Sequence, residues 1–157
     1  MAGIHLTTFI AAPIERVFDL TRNLAVYKYV FNSRKEKFSS RAGANLLTKG
    51  ETVSIIAKHL GKERLSTLKI TTLDKPVLLV EEQTKGDLLL YRHEHHFKPI
   101  DNGTIVIDLI DFGVPRDLVG RYLGKIYLKN YLEELTRKRN EAVRSYAETE
   151  KWRAVLS

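Results

Sequence analysis

Along residues 3–11 apolar and polar positions alternate well enough to predict a strand. Pro13 then opens a helix, where its fixed φ and missing N–H cost little, and Ile14, Val17, Phe18 and Thr21 line one side of "PIERVFDL". Asn23 stands where it can cap a second short helix, "LAVYKYVF". The polar stretch 33–50 reads as loop with an irregular strand. From Glu51 the punctuation becomes regular, with turn signals at Gly61-Lys62, Asp74-Lys75-Pro76, Lys85-Gly86-Asp87 and Asp101-Asn102-Gly103. Five strands are predicted at about 51–60, 64–73, 77–85, 87–100 and 103–112, and connections this short pair them as an antiparallel meander.

The chain ends in a long predicted helix, from about Pro115 to about Glu148, followed by a tail over 148–157. At 100° per residue Leu128, Tyr131, Leu132, Leu135 and Ala142 share one side, whereas Val119, Tyr122, Leu123 and Ile126 fall nearly opposite. One straight helix packed on one side cannot bury both stripes. Two accounts stand: a break near Gly120 or Gly124 with an opening turn that packs elsewhere or acts as a lid, or a first stripe that meets a partner or ligand. At ~1.5 Å per residue the helix spans on the order of 50 Å. It is the only element large enough to cover one face of the sheet, so the expected class is α+β, with a curved sheet gripping the helix and space enclosed between them.

Composition narrows the chemistry. The 157 residues include no cysteine, which excludes disulfides, thiolate nucleophiles and Cys-ligated metals and fits a reducing, cytoplasmic setting. No secretory leader and no apolar run of ~18–20 residues is found, so neither export nor a transmembrane segment is expected. The net charge is +7, but residues 1–114 carry 16 basic and 13 acidic groups and 115–157 carry 10 and 6. The excess is therefore spread out. Only Ser33–Arg41 and Thr136–Arg139 are locally dense; they read as a solvated loop and a solvated helix face rather than a nucleic-acid footprint.

The most specific pattern is "LLLYRHEHHFK". Tyr91, His93, His95 and Phe97 alternate onto one face of a strand and Arg92, Glu94, His96 and Lys98 onto the other. The charged face must meet water, so the aromatic and imidazole face looks inward. His59 shares a face with Val53, Ile55 and Ala57 and joins them inside; His5 and His96 are expected on the surface. Buried histidines need partners. Glu82, in phase with Leu78 and Val80, and Asp108, in phase with Val106, Ile110 and Phe112, are the candidates, although the opposite faces of both strands are equally apolar. A cluster of this kind can be a structural hydrogen-bond network, a means of orienting a ligand, or a catalytic or His-rich metal site. "HEHH" on a strand lacks the fixed spacing of a metal motif, and no metal or cofactor is assigned. Walker A, GxGxxG and GxSxG motifs are absent, and "DFG" at 111–113 stands without other kinase signatures.

In order along the chain, "IHLTTFIAAPIERVFDL", "GETVSIIAKHLGKERLSTLKITTLDKP", "VEEQTKG", "YRHEHHF", "GTIVIDLIDFGVP" and "LVGRYLGKIYLKNYLEELTRKR" together resemble the START-related SRPBCC superfamily, which includes the birch pollen allergen group and polyketide cyclase/dehydrase-like proteins. They are most similar to bacterial ligand-binding members. The resemblance implies a helix-grip fold of seven antiparallel strands wrapped round the C-terminal helix, with two short helices after the first strand and a further strand within 34–48. It matches Pro13, Val17 and Phe18 to the family's helix start, His59 and Gly61 to its His-x-Gly, Glu82 to its acid before the turn, His93, His95 and Phe97 to its alternating block, and Asp108 to its late-strand acid. Ile55, Leu60 and Tyr91 depart from aromatic, aromatic and Trp positions of that subgroup.

The function expected on these grounds is binding of a small, largely apolar molecule between sheet and helix. Leu68, Ile70, Leu128, Tyr131, Leu132 and Leu135 would supply apolar wall, His59, Tyr91, His93 and His95 would orient the polar end, and Gly113 to Gly124 would gate entry. One alternative is a cyclase, dehydratase or hydrolase using His93, His95 and Glu82. Another is an interaction protein that meets anionic lipid or RNA through its basic surface. Oligomeric state is not legible.

Overall fold

Hairpin chemistry and strand alternation build most of the molecule. The computed structural model describes residues 2–59, 61–114 and 121–156, with the side chains of Ala2, Arg121 and Tyr122 left aside. Strand β1 (Ala2–Ile10) leads into helices α1 (Ile14–Thr21) and α2 (Leu24–Ser33), followed by β2 (Lys37–Ser40), β3 (Thr52–His59), β4 (Lys62–Asp74), β5 (Leu78–Lys85), β6 (Leu90–Ile100) and β7 (Gly103–Gly113). The chain closes with α3 (Arg121–Ala147) and α4 (Trp152–Leu156). All neighbouring strands are antiparallel, and β1 returns to pair with β7, giving the order β1-β7-β6-β5-β4-β3-β2 in one open curved sheet. Asn23 caps α2 by accepting from Ala25 N and Val26 N. Gly61 turns β3 into β4 at φ 81°, a value other residues reach only with strain.

Helix α3 lies across the sheet, with α1, α2 and β1 against it. Leu128, Leu132, Leu135, Ala142, Val143 and Ala147 are buried along its inner side. The two halves of that side differ. Past Leu135 the stripe turns polar while staying buried, at Thr136, Arg139 and Asn140. There the helix is stitched to the sheet: Asn140 reaches Thr8 and Asp108, Arg144 donates to the Phe9 carbonyl, and Glu148 accepts from the Ala11 amide.

Several sequence expectations change. Helix α3 runs unbroken through Gly124, while Gly120, Val119 and most of the expected gate between Gly113 and Gly124 lie outside the described residues. Of the opposite stripe, Leu123 and Ile126 face solvent. Thr136–Arg139 is not a solvated face throughout, because Thr136 and Arg139 are buried. Within Ser33–Arg41, Glu36 is also buried, and the segment contributes β2. The last residues, read as a tail, include α4, whose Trp152, Val155 and Leu156 pack against the core; Val155 O accepts from Asn23 Nδ2. Among the described residues no helix is long and apolar enough to cross a membrane.

Candidate functional site

Strand β6 places Tyr91, His93, His95 and Phe97 inward, as its alternation requires. Directly opposed residues of an antiparallel pair share a face, so the register fixes their neighbours. Leu79 opposes His95 and Glu81 opposes His93 on β5; Asp108 opposes His95 on β7. The inward acid of β5 is therefore Glu81, and Glu82, the sequence candidate, opposes Arg92 on the outer face and pairs with it at 3.1 Å. Asp108 is inward, fully buried.

These groups form one continuous network. Arg139, reaching in from α3, donates to both oxygens of Glu81, from Nη2 to Oε1 at 2.8 Å and from Nη1 to Oε2 at 3.2 Å. Tyr27 of α2 donates to Glu81 Oε1 at 2.5 Å and lies under the guanidinium, 4.5 Å from its ring centroid. His95 Nε2 is 3.2 Å from Glu81 Oε1; its Nδ1 lies 2.8 Å from Asp108 Oδ1, close enough for Coulombic attraction but outside hydrogen-bond geometry. His93 Nε2 meets Asp108 Oδ1 at 2.8 Å, and Asn140 Nδ2 donates to Asp108 Oδ2 at 2.8 Å. The two imidazoles stack with centroids 3.8 Å apart. At its edge Tyr91 Oη lies 3.3 Å from His93 Nδ1.

Electrostatics assigns the charges. Burial disfavours the Glu81 carboxylate, but Arg139 and then His95 outweigh it and hold its pKa well below the usual range. Burial likewise opposes ionised Asp108, and His93 and His95 overcome it. For His95 burial pushes the pKa down, and its two carboxylate neighbours reverse that to a net rise. His93, penalised by burial and by the nearby His95 charge, falls to about 4. Two carboxylates thus face Arg139 and His95, whose charged form they favour, while His93 is held neutral. Glu81, His93 and His95 offer ligand atoms within 4.8 Å of one another. Arg139, however, already donates to both Glu81 oxygens and brings a positive charge to the carboxylate a cation would need, so the donor set suits a proton network better than a metal.

The open space lies elsewhere. A cavity of about 80 Å³ sits between β3–β4 and the first half of α3, against ~10–15 Å³ for a single water. Ile55, Ala57, Leu68, Leu128, Leu132 and Leu135 give it apolar walls. His59, Tyr91 and Tyr131 also border it, with Arg64, Ser66 and Gln83. His93 and His95 border instead a void of about 10 Å³ inside the network, at most one water in size. Ile70, Phe97 and Asp108 belong to the packed interior and touch neither. Among the sequence candidates, then, His59, Leu68, Tyr91, Leu128, Tyr131, Leu132 and Leu135 come together round the cavity. Among the described residues Tyr91 alone joins it to the buried network by a hydrogen bond.

A second polar group lies beside the cavity. Tyr131 donates to Glu36 Oε2, Arg34 Nε donates to Glu36 Oε1 at 2.6 Å, and the Arg34 guanidinium lies 5.1 Å from the Tyr131 ring centroid. His59 packs edge-on against Tyr131, centroids 4.5 Å apart, and its Nδ1 is 2.9 Å from Tyr127 Oη. Burial lowers the His59 pKa; Glu36 opposes this, while Arg64 and Arg34 reinforce it. These contacts tie β3 and the α2–β2 connection to α3 through Tyr127 and Tyr131.

Sequence reasoning missed Glu81, Arg139, Asn140, Tyr27 and Glu36. Arg139 left a signal, since it occupies the position between Leu135 and Ala142 where the stripe demands burial. Glu36 left none.

Solved structures share this fold over nearly the whole chain. The crystal structure of TTHA0849 from Thermus thermophilus superimposes with a TM-score of 0.73 at 20% identity, covering 93% of this chain and 99% of that one. The ZhuI aromatase/cyclase from Streptomyces sp. R1128 gives 0.69 at 14%, covering 94% and 93%, and a START superfamily protein from Mycobacterium smegmatis gives 0.66 at 13%, covering 93% and 97%. The chain has the helix-grip fold of SRPBCC proteins. No protein-family model matches the sequence, and no curated protein matches it. Identities this low carry the helix-grip architecture and leave the chemistry of the cavity to its own residues.

Proposed function

We propose that this protein binds a small, largely apolar molecule in the cavity between β3–β4 and the first half of α3. The observation that carries the reading is the separation of polar and apolar surface. The buried ionisable groups are paired with one another and packed nearly solid, while the open space is walled by aliphatic side chains with few polar groups, the composition of a ligand site. A fluorescent apolar amine such as 1-aminoanthracene should bind saturably and 1:1. Leu132→Trp, which projects an indole into the space, should abolish that binding while the far-UV circular dichroism is retained. Undiminished binding by a folded Leu132→Trp would place the probe elsewhere and sink the reading.

A second reading, acid–base catalysis in the same cavity, is favoured by one contact. Tyr91 borders the space and hydrogen-bonds the His93–Asp108 pair, so a substrate there would meet Tyr91 rather than His93, His95 or Glu82 directly. A neighbour of the same fold is named an aromatase/cyclase, which keeps this chemistry in view. If turnover of a candidate substrate is found, it should collapse in Tyr91→Phe; normal turnover there excludes the mechanism.

A further inference from the structure

Hydrogen-bond polarity can be followed atom by atom from the buried network to the cavity wall. Asp108 is an ionised carboxylate and can only accept, so the His93 nitrogen beside it, Nε2, carries the proton. His93 is neutral, which leaves Nδ1 as a bare acceptor. Its partner is Tyr91 Oη, and the one arrangement that satisfies both atoms has the Tyr91 hydroxyl donating to Nδ1. Burial raises the Tyr91 pKa, so the phenol keeps this proton. The donor of Tyr91 is thereby committed inward, and what its oxygen has left is lone pairs. Gln83 repeats the pattern in the same wall. Its Nε2 donates to the Leu88 carbonyl at 2.8 Å, and its buried Oε1 is an acceptor with no hydrogen-bond partner among the described residues.

We propose that Tyr91, polarised by the His93–Asp108 pair, is a hydrogen-bond acceptor that selects ligands carrying a hydroxyl or N–H group on an otherwise apolar frame. This deepens the ligand-binding reading and rests on it. A ligand offering only an acceptor, such as an ether or a ketone, would set lone pair against lone pair at Tyr91 and lose affinity. Nothing in the geometry requires proton transfer, so the role is one of specificity.

The test uses 2-naphthol, which can donate, and 2-methoxynaphthalene, which can only accept, titrated into the native protein and into Tyr91→Phe. The native protein should prefer 2-naphthol by about fivefold, the scale of one net hydrogen bond. Tyr91→Phe should weaken 2-naphthol by about the same factor, shift 2-methoxynaphthalene by less than about twofold and so erase the preference. Equal binding of both probes by the native protein, or a preference that survives in Tyr91→Phe, overturns the selection while leaving the cavity reading intact. Failure of both probes to bind overturns both. An independent check needs no ligand: the ¹⁵N spectrum of His93 should show the Nε2–H tautomer near pH 7, and an Nδ1–H tautomer would overturn the proposal.

Discussion

Two adjacent glutamates on β5 have opposite fates, and the difference is testable. Glu81 holds Arg139 inside the core, whereas Glu82 pairs with Arg92 in a half-buried cross-strand contact on the outer face, its side chain 34% accessible. Removing one partner of a buried pair leaves the other charge uncompensated, so Glu81→Gln should cost roughly 3–5 kcal/mol in urea unfolding. Glu82→Gln should cost about 0.5 kcal/mol or less. Equal losses would mean that the β5 register is wrong. The histidines act in separate pH windows. With a folded pKa of about 4 against ~6.5 unfolded, His93 lets the unfolded chain take up a proton that the folded chain refuses. Stability should therefore fall as pH drops from about 6.5 to about 4, by about 3 kcal/mol. His95, raised on folding, contributes stability that is complete below ~6.5 and lost as pH rises through its folded value. Glu81 and Asp108, both lowered, add stability above their unfolded values of ~4 that is lost further into acid. His93→Gln should flatten the limb between pH 6.5 and 4, and an unchanged slope would assign that limb to another group.

Elements differ in how far the sequence announces them. Strand alternation and turn residues are local, so six strands, α1, α2 and the inward face of β6 are legible from period and punctuation. β2 is only four residues long in a polar stretch, so the pattern offers no more than an irregular strand somewhere in 33–50, which the resemblance narrows to 34–48. The face of β5 is not local: with apolar residues at 77–80 on both sides, pairing with β6 decides whether Glu81 or Glu82 turns inward. The same holds for Arg139, whose charge argues for solvent until Glu81 is known to face it. Asn23 shows one residue serving two elements. Its Oδ1 caps α2 and its Nδ2 holds the Val155 carbonyl of α4. Asn23→Ser should keep the cap, release α4 and leave global stability within about 0.5 kcal/mol, whereas Asn23→Ala should lose about 1 kcal/mol or more. Thermal melts compare the two, and proteolysis near residue 151 reports on α4. Identical melts for both variants would deny the cap its role.

Across the whole molecule the long helix divides the interior into two regimes. Its second half is bound to the sheet by Arg139–Glu81, Asn140–Asp108 and Arg144–Phe9, contacts that join α3 to β1, β5 and β7. Its first described half stands off the sheet across the cavity and is held at the side by Tyr131–Glu36 and Tyr127–His59. Opening of the first half does not require breaking a buried charge pair, and opening of the second does, so the two should exchange amide protons at different rates. A ligand in the cavity fills the gap beneath the first half and can stabilise only what it touches. Saturating 2-naphthol should therefore slow hydrogen exchange in β3, β4 and residues 123–135 and leave β1, β7 and residues 139–147 unchanged. Protection spread evenly over the chain would mean that the two halves open as one unit, and protection confined to the second half would move the ligand into the network itself.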